Sequence, residues 1–187
     1  MSIKSKRLST EQYANNFSDI HPPFEKKEGA LIEANRCLFC YDAPCTKSCP
    51  TSIDIPQFIK QISSGNIRGS AKTIMSSNVF GGGCARVCPV EKLCEGACVY
   101  NLLHETPIHI AKLQRHATEG AINEKWKLFE RKPTIGKKVA VVGAGPAGLA
   151  CAHALSMQGV DVTVFEKEEK GGEGQKGAEV NLFFQNS

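Results

Sequence analysis

No apolar run in this 187-residue chain approaches the ~18 residues that a membrane-spanning helix requires. The opening stretch, Met1-Ser2-Ile3-Lys4-Ser5-Lys6-Arg7-Leu8, lacks the apolar core of a secretory signal. Together these absences predict a cytoplasmic protein with no membrane partner. Charge of one sign is scarce as well: a net charge of +4, scattered along the chain, is too weak a footprint for nucleic acid. Internal repeats and low-complexity tracts are missing, and β signal is sparse before residue 138. The hydrophobic fraction, 41%, is ordinary for one or two domains that bury a core.

What the chain has in quantity is cysteine. Eight of the nine cysteines fall in two compact groups. The first reads Cys37-x2-Cys40-x4-Cys45-x3-Cys49-Pro50; the second is Cys84-x3-Cys88-Pro89, followed by Cys94-x3-Cys98. An odd count of grouped thiols fits metal ligation in a reducing compartment better than a disulfide framework. Cubane iron–sulfur clusters need four soft anionic ligands converging on one small inorganic core, and this density with a proline directly after a cysteine supplies them. Zinc is the competing reading, because Cys-x2-Cys also begins many structural zinc sites. In ferredoxins the last cysteine of such a run ligates the other cluster, so the two groups are expected to interlace. Spacing alone nominates Cys84 alongside Cys88 and Cys94.

Residues 1–30 read as a polar lead-in that includes the charge block Glu25-Lys26-Lys27-Glu28. Residues 31–132 read as a mainly α iron–sulfur domain of short helices joined by cysteine-bearing loops. A short helical stretch, Glu33 to Arg36, leads into Cys37. Ile55, Phe58, Ile59 and Ile62 have helical spacing, with Pro56 at the start and Gly65 past the end. Gly69–Ser76 predicts another helix, and Gly81-Gly82-Gly83 a flexible approach to the second cysteine group. Pro107 is expected to open a helix whose apolar stripe is Ile110, Leu113 and Ala117. Cluster ligation would supply much of the stability that so small a helical unit lacks. A charged, aromatic connector spans Asn123 to Pro133.

Residues 133–172 change character. Lys138 to Val142 is a buried-strand run, Gly143-Ala144-Gly145-Pro146-Ala147-Gly148 a turn, Leu149 to Gln158 helical, and Asp161 to Glu166 a second strand. This is the opening βαβ unit of a Rossmann-type α/β domain. Gly143 permits the tight turn, Gly145 the approach of a pyrophosphate, and Gly148 close helix–strand packing. Phosphates would sit at the helix N-terminus. Glu166, 23 residues after Gly143, is where an acid binds ribose hydroxyls. These residues alone leave FAD and NAD both open. Val139 to Val142 would present unpaired strand edges unless more chain or a partner covers them.

The blander readings of other residues are solvent-facing or hydrogen-bonded histidine for His109 and His116, and a small buried apolar side chain for Cys151. Arg86, Lys92 and Arg115 are expected to be solvated at the surface, and a lone glutamine such as Gln114 is ordinarily a helix-surface amide.

Cys37-Leu-Phe-Cys-Tyr-Asp-Ala-Pro-Cys-Thr-Lys-Ser-Cys-Pro-Thr, the run from Cys88-Pro89 to Cys98, and Pro107-Ile-His-Ile with Leu113-Gln-Arg together resemble the N-terminal region of dihydropyrimidine dehydrogenases. The likeness is greatest to the flavin and iron–sulfur subunit of the NAD-dependent bacterial enzymes, and looser to the glutamate synthase small subunit. It covers about residues 30 to 172. It implies a first 4Fe-4S cluster on Cys37, Cys40, Cys45 and Cys98. A second is implied on Cys49, Cys88 and Cys94 with Gln114 as fourth ligand, which makes Cys84 a spare thiol. A neutral amide oxygen in place of thiolate alters cluster charge and potential.

The resemblance further implies that electrons pass from NAD(P)H through FAD and two clusters to an FMN-bearing partner that reduces uracil or thymine. The family's pattern reaches as far as Gly171-Gly172 and in the family continues much further. Residues 173–187 diverge from it and resemble an appended protease-cleavage linker. One βαβ unit cannot complete a nucleotide sheet, so FAD retention by this polypeptide is in question and catalysis by these residues alone is not expected. A glutamate synthase-type input subunit, or a non-catalytic cluster- or zinc-binding interaction module, is the alternative.

Overall fold

The computed structural model describes residues 9–16 and 20–167; the glycine pair at 171–172 and the divergent tail lie outside the described residues. The helices among them are α1 (Thr10–Asn16), α2 (Lys27–Asn35), α3 (Pro44–Lys47), α4 (Ile55–Ser63), α5 (Ile67–Ser77), α6 (Gly81–Val87) and α7 (Ile110–Asn123), with a 3-10 turn at Val99–Leu103. The strands β1 (Lys138–Val142) and β2 (Asp161–Phe165) flank α8 (Pro146–Met157).

The helical core is built on α4 and α7. In α4 the side chains at Ile55, Phe58, Ile59 and Ile62 repeat at helical spacing and all four are buried. Asp54 caps this helix by accepting from Gln57 N at 3.1 Å, and Gly65, at φ 79, ends it in the left-handed conformation that glycine adopts freely. Ile110, Leu113, Ala117 and Ala121 make the matching stripe of α7. Alanines of α2 and α5 (Ala30, Ala34, Ala71) complete the same cluster at full burial, because small side chains let helices approach closely.

Several local expectations are corrected. Gly81-Gly82-Gly83 is the first turn of α6, not a flexible approach, and Gly81 and Gly82 are buried. A Cβ at Gly81 would collide with Cγ2 of Ile74, so glycine serves here for the close approach of the start of α6 to Ile74 of α5 rather than for mobility. Helix α7 begins at Ile110 rather than at Pro107, with His109 outside it, because Glu33 Oε1 accepts from the His109 amide at 2.9 Å and ends the preceding segment there. Helix α8 begins at Pro146, not Leu149, since proline at a first-turn position lacks only a donor that would be unsatisfied in any case.

The connector carries Trp126, Leu128 and Phe129 onto the helical core. It then fastens to the nucleotide unit through Arg131 with Asp161, Lys132 with Gln158 Oε1 (2.8 Å), and Ile135 N to Gly159 O (2.9 Å). Strands β1 and β2 are parallel, with Lys138 opposite Asp161 and Val142 opposite Phe165, and α8 packs against both. Val142 (87%) and Phe165 (56%) are exposed at the strand ends. Cys151 is exposed, which overturns its reading as a buried apolar residue: α8 covers the two described strands with one face, and Cys151 lies on another.

Candidate functional site: two thiol-lined cavities and a glycine turn

Eight cysteines line two separate cavities in the helical part. Cys37, Cys40, Cys45 and Cys98 line the first, of about 30 Å³, against Ile55, Ile59, Ile108, Ile110 and Tyr100. The second, of about 80 Å³, is lined by Cys49, Cys84, Cys88, Cys94 and Gln114, with Asn78, Ile53 and Ile55 among its other walls. Cys49 crosses from the first sequence group to the second cavity and Cys98 from the second group to the first, so the two groups interlace. Ile55 forms part of both walls. Among the described residues no three His, Cys, Asp or Glu side chains converge on a position for a single metal ion.

Each thiol is placed by local backbone. The Cys37 amide donates to Ala34 O (3.2 Å) at the end of α2, and Cys45 lies in α3. Cys49 follows α3, its amide on Thr46 O at 3.1 Å. Cys88 ends α6, its amide donating to Cys84 O at 3.0 Å. Val90 O gathers the amides of Glu95 (2.9 Å) and Gly96 (3.0 Å), closing the loop that holds Cys94. Phe39, Ala43 and Ser52, none of them glycine, take left-handed backbone beside Cys40, Cys45 and Cys49. Such strain persists where the surroundings fix the chain, and it gathers at functional sites.

Burial governs the thiols. It pushes Cys37 up, Cys45 and Cys88 up to about 11, and Cys94 up to about 12, with neighbouring cysteines adding to the effect. The neighbours reproduce the two cavities: Cys37 feels Cys40 and Cys98, and Cys45 feels Cys37 and Cys98, whereas Cys88 and Cys94 both feel Cys49. Soft donors held this close, in water-poor surroundings, keep their protons until a cation displaces them.

Gln114 is buried, not a surface amide, because α7 turns it into the core beside the second cavity. Its Nε2 donates to Gly81 O at 2.6 Å, which leaves Oε1 as the amide atom available to the space it lines. Two carboxylates brace the start of α7, where dipole and free amides favour negative charge: Glu33 on His109 N, and Glu95 Oε1 on Ala111 N at 2.9 Å. Burial raises the Glu95 carboxyl and the Ala111 amide opposes that shift. Sequence reading had no signal for either acid, since neither belongs to a motif.

Arg115 is also buried, with its guanidinium on Glu119 Oε1 (2.6 Å) and His21 O (2.9 Å); the half-buried Arg86 joins the same carboxylate at 2.7 Å. Surface solvation is therefore the wrong account of both, because α6 and α7 pack across this ion pair.

In the nucleotide unit Gly143 has φ 98, and a Cβ on Gly148 would run into the Gly143 carbonyl. Around Gly145 a Cβ would meet nothing within 4 Å, so the backbone there faces open space. Pro146 and Ala147 open α8 directly after it. Glu166 reaches back from the end of β2, its Oε2 accepting from Ala144 N at 2.6 Å. All six fingerprint residues thus meet at one end of the βαβ unit, where free amides and the helix dipole favour a phosphate. Phe80, two residues after the cavity-lining Asn78, packs with Ala144 and Leu149 and joins this turn to the second cavity.

Comparison with known proteins agrees with this division. Residues 13–126 match the family described as dihydropyrimidine dehydrogenase domain II, 4Fe-4S cluster. The chain belongs to that family. Residues 141–174 match a NAD(P)-binding Rossmann-like domain. The chain is 43% identical over 143 residues to the NAD-dependent dihydropyrimidine dehydrogenase subunit PreT of Escherichia coli K12, a match covering 76% of this chain and 34% of that protein. The PreT of Salmonella typhimurium gives the same figures. A putative oxidoreductase of E. coli K12, AegA, is 35% identical over 168 residues, 89% of this chain and 25% of that protein. The chain thus spans about a third or less of the length of these curated relatives. The helical part is a dihydropyrimidine dehydrogenase-type 4Fe-4S domain, and a Rossmann-like nucleotide-binding region follows it. No described helix is long and apolar enough to cross a membrane.

Proposed function

We propose that this chain is the electron-input part of an NAD(P)H-dependent dihydropyrimidine dehydrogenase, with two 4Fe-4S clusters and FAD as its cofactors and an FMN-bearing, uracil- or thymine-reducing subunit or domain as its cytoplasmic partner. Cys37, Cys40, Cys45 and Cys98 hold the first cluster; Cys49, Cys88, Cys94 and Gln114 hold the second. The single observation that carries this reading is the interlaced lining of two cavities by thiols from both sequence groups, with Gln114 turned into the second.

The donor set fits the group: buried and half-buried thiols gathered on each cavity suit iron–sulfur cores, and the apolar walls limit water around them. Ile55 lines both cavities, so the two share a wall, an arrangement that suits electron exchange between them. When bound, flavin divides the electron pair of a hydride into the single electrons that clusters accept. The residues around it have simpler tasks. Gly145 leaves room for the pyrophosphate, the first amides of α8 bind it, and Glu166 takes a ribose hydroxyl. Phe80 keeps that turn against the second cavity's wall.

Iron, sulfide, zinc and flavin content of anaerobically purified protein tests the proposal. About eight irons and eight sulfides per chain are expected for two cubane clusters. Zinc without sulfide would overturn it in favour of a structural metal domain.

A further inference from the structure

The second cavity has one donor too many. Cys49, Cys84, Cys88, Cys94 and Gln114 all line it, and a cubane cluster takes four protein ligands. Two of the five are restrained by one short segment. Asn78 Nδ2 donates to Cys84 Sγ at 3.0 Å, while Asn78 Oδ1 accepts from Phe80 N at 3.0 Å and so fixes which end of the amide faces the sulfur. Three residues further on, Gly81 O holds Nε2 of Gln114, which leaves Oε1 as the amide atom free for a ligand role at the cavity Gln114 lines. Cys84 and Cys88 line the same cavity one helical turn apart, so the Cys84 sulfur stands near a proposed ligand without being committed to one.

Resting on the cluster assignment proposed above, we infer that Cys84 is a reserve ligand of the second cluster, held off the iron by Asn78 and able to replace Gln114. In the exchange the iron–oxygen bond to Gln114 Oε1 breaks and an iron–sulfur bond to Cys84 forms. The thiol proton leaves to solvent and no electron moves. The site gains one negative charge, which lowers its reduction potential. Asn78 and Gly81 are therefore positioning groups that decide between a neutral and an anionic fourth ligand. Phe80 lies between them and touches the nucleotide turn.

The test compares five single- and double-site variants of the full chain, purified anaerobically, by iron and sulfide content, electron paramagnetic resonance and redox titration of the reduced protein, and circular dichroism. Cys84→Ala keeps about eight irons with the parental spectrum, because Gln114 remains. Gln114→Leu also keeps about eight, with an altered second-cluster signal and a lower midpoint potential, because Cys84 takes over; the double variant falls to about four. Asn78→Ala, with Gln114 intact, shifts the second-cluster signal towards that of Gln114→Leu, and adding Cys84→Ala restores it.

A folded Gln114→Leu protein with only about four irons would overturn the inference, and so would loss of iron from Cys84→Ala alone, which would make Cys84 the resident ligand. Should Gln114→Leu not fold, the Asn78→Ala spectrum decides, and an unchanged signal there refutes the reserve role. Parental protein without iron and sulfide would refute the underlying cluster assignment instead, a distinguishable failure.

Discussion

Phe80 packs with Ala144, joining the residue that precedes α6 to the second residue of the glycine turn. Phe80 is 6% exposed and Ala144 4%, so this small cluster, completed by Leu149, forms an apolar seal between the cysteine-bearing helices and the nucleotide unit. Phe80→Ala should destabilise that seal by about 3 kcal/mol, the lower end of the range for burying a phenylalanine, because few other side chains share the cavity it leaves. Faster limited proteolysis in the connector 124–133, at unchanged iron content, is the expected outcome. An unchanged cleavage rate would mean that the connector's own contacts suffice.

How much of this arrangement was legible in the sequence varied with the physics of each part. The faces of α4 and α7 were readable because burial imposes a helical period on side chains that have no other reason to be apolar. The partition of thiols required knowledge of interlacing, and Gln114 could be singled out only through family resemblance, since a glutamine in a helix looks like surface until packing is known. Glycines 81 to 83 misled because sequence rules treat glycine as a breaker, whereas here the missing Cβ permits helix contact. Asn78, Glu33 and Glu95 reach their partners Cys84, His109 and Ala111 across 6 to 76 residues of chain, contacts that no sequence motif announces.

Cys37→Ser and Cys151→Ser should separate cluster thiols from the rest. Cys37 faces the first cavity beside Cys40 and Cys98, so its serine variant should lose about four of eight irons. Cys151 is exposed on α8, far in sequence from both groups, and its variant should keep the full complement. Iron analysis with visible spectra checks both; equal loss in the two would contradict the cavity assignment.

The two glycines of the turn should fail differently. In Gly148→Ala the new methyl group meets the Gly143 carbonyl, and a backbone oxygen cannot step aside as a side chain can, so a loss of about 1–3 kcal/mol and of nucleotide binding is expected. Gly145→Ala finds open space and should leave stability within about 0.5 kcal/mol, while still weakening the dinucleotide because its methyl group occupies the pyrophosphate's path. Thermal melts beside flavin content and calorimetric NADH titration make the comparison. Equal destabilisation of both variants would show that the turn is limited by conformation rather than by space.

His153 gives the nucleotide unit a dependence on acid. It is 8% exposed on α8, its ring edge-on to Phe129 with centroids 5.3 Å apart, and burial lowers its imidazole below the ordinary 6.5. The unfolded chain therefore takes up a proton at a higher pH than the folded one. The stability that neutral His153 contributes is fully present above 6.5 and is lost as pH falls from there through the lowered folded value. Denaturant melts of the unit, followed by α8 amide exchange, should show stability declining below that pH. His153→Gln, which does not titrate and keeps a side chain of similar reach, should flatten that part of the profile. A decline of the same slope in the variant would place the acid sensitivity elsewhere, with Asp161 the next group to test, because Arg131 holds its carboxyl below the ordinary value and their contact breaks on protonation.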